Sequence, residues 1–119
     1  MKPESKKILF WMGDSRRRLG EFPEEVRGEI GYAIFLAEFG GAHPSAKRMQ
    51  GYNAVEIVSD YDGDTFRGVY TTKFQDSVYV LHCFQKRSKR GSQTPHADID
   101  LIKKRLRDAE QHHKASRKP

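Results

Sequence analysis

With 119 residues and one cysteine, the chain has the length of a single domain with a modest core, and it cannot close an intramolecular disulfide. Apolar residues make up 36% and charged residues 32%, which implies a compact core under a heavily charged surface. The net charge of +6 points to an anionic partner, and no apolar run approaches the roughly 20 residues of a membrane-spanning helix.

Residues 8–12 (Ile-Leu-Phe-Trp-Met) are short, apolar and β-prone, and read as a buried or edge strand. Asp14 or Ser15 then caps a short helix through Leu19, with Arg16, Arg17 and Arg18 on its turn. These arginines fit a solvated face, with phosphate contact as the rival reading. Pro23, Glu24 and Glu25 open a second helix, because proline suits the first position and acids suit the positive helix end. Phe22, Val26, Ile30, Ile34 and Ala37 recur at helical spacing as a core stripe, and Gly40-Gly41 ends it. Gly28 and Gly31 inside this helix lower its stability but permit close approach of another backbone.

A loop at 42–51 carries Lys47 and Arg48, and strands are expected at 54–59, 65–74 and 78–85. Asp62-Gly63 supplies the positive φ angles of a hairpin turn, and residues 75–77 form a second short turn, so the three strands make an antiparallel meander. Cys83 sits in the last strand as a buried thiol rather than a nucleophile. Thr94-Pro95 opens a final helix with Ile99, Ile102, Leu106 and Ala109 on its apolar face and cations in its later turns. From about residue 112 a frayed polar tail is expected. The whole chain, 1–119, thus reads as one α+β domain: a small antiparallel sheet in the order β-α-α-β-β-β-α, helices on one face and the other face open. We expect it to be cytoplasmic, since residues 8–12 are too short for a signal-peptide core.

The sequence has no phosphate-binding glycine loop, zinc pair or nucleophile elbow. His96 and His112-His113 lack the spacing of helical metal ligands. The acidic turn from Asp60 places threonines, Thr65 and Thr71, where a calcium loop needs glycine and glutamate. Neither metal nor cofactor is expected. The strand residues carry more information. Arg67, Val69, Thr71 and Lys73 share one face by alternation, as do Val78, Val80, His82, Phe84 and Lys86. Glu56, between β-branched neighbours, needs a partner, and an arginine is the plain choice. A structural ion pair and a phosphate contact both stand for Arg67, and a satisfied core histidine stands beside a proton carrier for His82. Beyond the strand, residues 86–90 hold Lys86, Lys89 and Arg90 with no acid. Such a set can support metal-free RNA cleavage. The 2′-hydroxyl attacks the adjacent phosphorus, Arg67 stabilises the charge growing on phosphate, and Lys86 or His82 moves protons.

The run Leu81-His-Cys-Phe-Gln-Lys-Arg-Ser-Lys-Arg90, with Thr94-Pro95 and Ile102-Lys-Lys-Arg-Leu106, resembles the RelE/HigB toxin superfamily, closest to its phage-derived branch. Phe22-Pro-Glu-Glu-Val26 and Ile30-Gly-Tyr-Ala33 resemble that branch's helical region, so that the likeness covers roughly residues 7–110. The resemblance implies a RelE-like fold and a type II toxin that cleaves messenger RNA on the ribosome and inhibits translation. It also implies a cognate antitoxin, usually a helix-turn-helix protein, and no membrane partner. It carries function onto Arg67, Lys86 and Lys89, with Lys47 and Arg48 as RNA-binding cations; Lys73 joins these from the strand face it shares with Arg67, and Arg90 from the cationic segment after the last strand. Relatives often show Glu-Leu-Arg where this chain has Glu56-Ile-Val58, so a cation is missing there. ParE toxins, which share the fold, poison DNA gyrase instead. That activity, or RNA binding without catalysis, is the alternative.

Overall fold

The structure, a computed structural model, describes residues 6–86 and 94–116. In chain order the elements are β1 (Ile8–Trp11), α1 (Ser15–Gly20), α2 (Glu24–Glu38), β2 (Lys47–Arg48), β3 (Val55–Tyr61), β4 (Asp64–Thr71), β5 (Ser77–Lys86) and α3 (His96–Ser116). The α+β class and the order of the main elements are those expected. The short β2 arises inside the expected 42–51 loop.

The strands form one sheet in the order β1-β5-β4-β3-β2. β3, β4 and β5 make the antiparallel meander, and the β3–β4 turn uses Asp62 and Gly63 at φ 51° and 85°. The sheet is nevertheless mixed rather than antiparallel throughout, because β1 pairs parallel to β5. A hairpin cannot join parallel strands; here the long crossover through α1 and α2 leaves β1 free to lie alongside β5 in the same direction.

A second correction concerns the faces. α2 buries Val26, Ile30, Ala33, Ile34 and Ala37 against Ile57, Tyr70, Val78, Val80 and Cys83 on one side of the sheet. On the opposite side, Ile102, Leu106 and Ala109 of α3 cover Val69, Tyr79, Leu81 and Phe84. The helices therefore lie on both faces, and the expected open face is closed. The physical reason is visible in β5: residues 77–84 are buried without interruption, as in a strand covered on both sides. At Gly68 α2 comes so close that an added Cβ would lie 2.6 Å from Ile30 Cγ2 and 3.3 Å from Ile57 Cγ2.

A bulge in β5 redirects its second half. Val69 pairs with His82 but Tyr70 pairs with Val80, so Leu81 has no opposite residue. One extra residue reverses the alternation. Val78 and Val80 face α2, whereas His82, Phe84 and Lys86 lie on the α3 side, so these five do not share one face as strict alternation predicts.

α3 also runs through Ser116, past the point where a frayed tail is expected. Ring contacts hold its last turns. Tyr79 Oη lies 2.6 Å from His112 Nδ1, and His113 stacks on Phe74 at 4.2 Å and reaches Asp76 at 2.8 Å.

Candidate functional site

Cross-strand register brings three of the sequence-selected residues onto one side of β4 and β5. Arg67 is opposite Phe84, and its diagonal neighbours on β5 are His82, opposite Val69, and Lys86, opposite Thr65. Diagonal neighbours of this kind have Cα atoms roughly 7–8 Å apart. All three are buried: Arg67 is 4%, Lys86 6% and His82 2% exposed.

Arg67 is held from two directions. Its Nη1 donates to Glu56 Oε2 at 2.6 Å and to Thr94 Oγ1 at 3.3 Å, while Thr94 Oγ1 donates to the same Glu56 oxygen at 3.2 Å. Glu56 is opposite Val69, so it shares Arg67's face one diagonal step away on β3. The threonine expected to cap α3 therefore directs its hydroxyl to this ion pair. The residue just before α3, Pro95, supplies the first carbonyl of the helical ladder, which accepts from Ile99 N at 3.0 Å. Val58, the position where the resemblance led to an expected cation, is opposite Arg67 itself.

His82 has both ring nitrogens engaged. Nε2 lies 2.7 Å from Asp98 Oδ1, and Nδ1 lies 3.5 Å from Arg105 Nη1. A guanidinium only donates, so Nδ1 accepts and the ring proton sits on Nε2 toward Asp98. Burial holds the imidazole pKa below its ordinary value, and the Asp98 hydrogen bond opposes this while Arg105 and Arg18 add to it. The ring also stacks on Phe84 at 4.6 Å. This is the satisfied-histidine arrangement.

Asp98 and Arg105 were not selected from the sequence. Both flank the buried stripe of α3, each about one turn from Ile102 on either side, and a charged residue in line with an apolar stripe was the available signal. Arg105 continues outward: Nη1 donates to Leu81 O at 2.9 Å and Nη2 to Asp14 Oδ1 at 3.0 Å. Its guanidinium lies over Gly13, whose φ is 54° and whose Cβ would fall 2.5 Å from Cζ. Asp14 also receives Arg18 Nε at 3.0 Å, and the Arg18 hydrogen bond leads in lowering the carboxyl pKa to about 2. Two of the three α1 arginines are thus paired: Arg18 to Asp14 and Arg17 to Asp14 and Glu21.

The remaining candidates divide. Lys47 is opposite Glu56 on exposed β2, which places it on the Arg67 side at the sheet edge. Arg48 is opposite Val55 and points to the α2 side, because consecutive strand residues alternate. Lys73 follows the end of β4, roughly 20 Å from Arg67 at about 3.3 Å per residue, and pairs with Glu110 of α3. Lys89 and Arg90 lie outside the described residues. Cys83 is fully buried, and desolvation pushes its thiol pKa to about 12, which suits a core residue. Among the described residues no group of three His, Cys, Asp or Glu converges as metal ligands would, and no helix is long and apolar enough to cross a membrane.

The site is therefore a band of cations, Lys47, Arg67 and Lys86, across one side of the sheet, with Glu56 set among them. A search of curated proteins finds no match to the chain. Residues 17–107, from α1 into α3 and including every element of the band, match the family described as Phage derived protein Gp49-like (DUF891). The chain belongs to that family, which is associated with RelE-type, toxin-like proteins.

Proposed function

We propose that this chain is the toxin of a type II toxin–antitoxin system of the RelE/HigB kind, an endoribonuclease that cleaves messenger RNA on the ribosome without metal. The observation that carries this reading is the pairing of two buried strand cations, Arg67 and Lys86, on one side of the sheet beside the Glu56 carboxylate. Arg67 is permanently charged and donates through a planar fork, which suits a phosphate that gains charge in the transition state. Glu56 takes the 2′-hydroxyl proton as the oxygen bonds to phosphorus. Lys86 gives a proton to the 5′-oxygen as that bond breaks, leaving a 2′,3′-cyclic phosphate. Lys47, at the exposed edge, guides the RNA backbone by charge. Thr94 stands over Arg67, so the phosphate reaches Nη1 as the threonine hydroxyl gives way. His82, with both nitrogens engaged, anchors α3 and takes no proton from substrate.

Mapping RNA ends after induction in a bacterial host tests the reading. Cuts inside translated codons are expected with the native chain and lost with Lys86→Ala at unchanged circular dichroism. Intact messages together with a DNA-damage response would instead identify a gyrase poison and remove the nuclease assignment.

A further inference from the structure

The outward face of α2 is not explained by the fold. Tyr32, Phe35 and Phe39 are 53%, 50% and 41% exposed and follow one stripe along the helix. The Phe35 and Phe39 rings lie 5.0 Å apart, and Tyr32 meets His43 edge-on at 5.9 Å. Gly28 continues the stripe one turn earlier. Among the described residues nothing lies within 4 Å of the position its Cβ would take, and the same holds for neighbouring Gly31. Glycine lowers the stability of a helix interior relative to alanine, yet none of the described residues uses the space it leaves.

We infer that this face is the contact between two copies of the chain. Residues 28, 32, 35 and 39 are spaced by four, three and four, and this spacing reads the same in both directions. Two copies of α2 packed antiparallel about a two-fold axis between residues 33 and 34 therefore superpose the stripe on itself. Gly28 then faces Phe39 of the second copy, a gap facing a large ring, and Tyr32 faces Phe35. Such an interface is self-complementary, as a two-fold contact requires. Charge points the same way. The chain carries a net +6, but residues 28–39 contain no lysine or arginine. Their charged residues are Glu29 and Glu38, and Glu38 is buried and paired with Lys6 at 3.2 Å. Two basic molecules can meet here without cation facing cation. α2 packs on the side of the sheet opposite Arg67 and Lys86, so the dimer stands or falls independently of the proposed nuclease site.

One pair of 15-residue helices covers less than the roughly 800 Å² per partner of a standard interface. The dimer is expected to be reversible, with a dissociation constant in about the micromolar range or weaker. Sedimentation velocity on the full chain, from about 1 μM to about 1 mM, spans that range. A concentration-dependent monomer–dimer equilibrium is expected. Phe35→Asp, at an exposed position, should weaken it roughly tenfold or more at an unchanged melting temperature. Gly28→Leu separates the dimer from the fold: it should raise the melting temperature of the monomer, because the space is open, and abolish the dimer, because it fills the gap for Phe39 of the second copy. A chain that stays monomeric at the highest concentration, or a dimer that both variants leave intact, overturns the inference.

Discussion

The Arg67–Glu56 pair sets how any variant at this site is to be interpreted. Its side chains are 5% and 14% exposed, and removing one member of a buried pair strands the other charge at a cost of about 3–5 kcal/mol. Arg67→Ala alone should therefore lose stability and activity together, which leaves the role of Arg67 undecided. Replacing both members by apolar residues of similar size, Arg67→Met with Glu56→Leu, should hold urea stability within about 1–2 kcal/mol of the native chain while ending RNA cleavage. Retained cleavage in the folded double variant would exclude both residues from the chemistry. His82 makes a different prediction. Its folded pKa lies below the ordinary 6.5, chiefly through burial, with Asp98, Arg105 and Arg18 as the charged groups that face it. The unfolded chain then binds the extra proton first. Stability is full above pH 6.5 and falls as pH drops below it toward the folded pKa. Urea midpoints across that window should show the decline, and His82→Gln should flatten it. Glu56 and Arg67 were legible in the sequence as strand charges that need partners. The Asp98–His82–Arg105 chain was not, because sequence spacing alone does not say which helix faces which strand.

At the scale of elements, packing closes around α2 and β4. Gly68 lies where α2 crosses the sheet, and Ile30 and Ile57 leave no room for a methyl group. Gly68→Ala should cost about 1–3 kcal/mol by overpacking, read as a lower urea midpoint with an unchanged far-ultraviolet spectrum. A neutral result would show that α2 can shift away without loss. The bulge at Leu81 matters in another way. Without it His82, Phe84 and Lys86 would turn toward α2, and Arg67 would lose both of its cationic or basic diagonal neighbours. The alternation of β4 was readable, since Arg67, Val69 and Thr71 do share a face. The alternation of β5 was not, because nothing in Val78-Tyr-Val-Leu-His-Cys marks where one extra residue enters the ladder.

For the whole molecule, the sheet separates two surfaces of different chemistry. The α3 side carries Lys47, Arg67 and Lys86 with Glu56, and α3 adds Lys103 over Tyr52 and the Lys104–Asp108 pair. The α2 side presents aromatic rings and glycines with no cation between residues 28 and 39. An overall charge of +6 conceals this division, since net charge speaks to association and not to where on the molecule it occurs. On the proposed function and the proposed dimer, RNA and a second copy of the chain occupy separate faces.

Sequence alone specified the α+β class, the order of the main elements, the Asp62-Gly63 hairpin and the core stripes of α2 and α3, because each depends on residues close in sequence. The tertiary structure decided that β1 runs parallel to β5, that α3 closes the second face, and that Arg67 meets Glu56 and Thr94. These depend on contacts between distant segments, whose register and facing are set by packing rather than by local propensity.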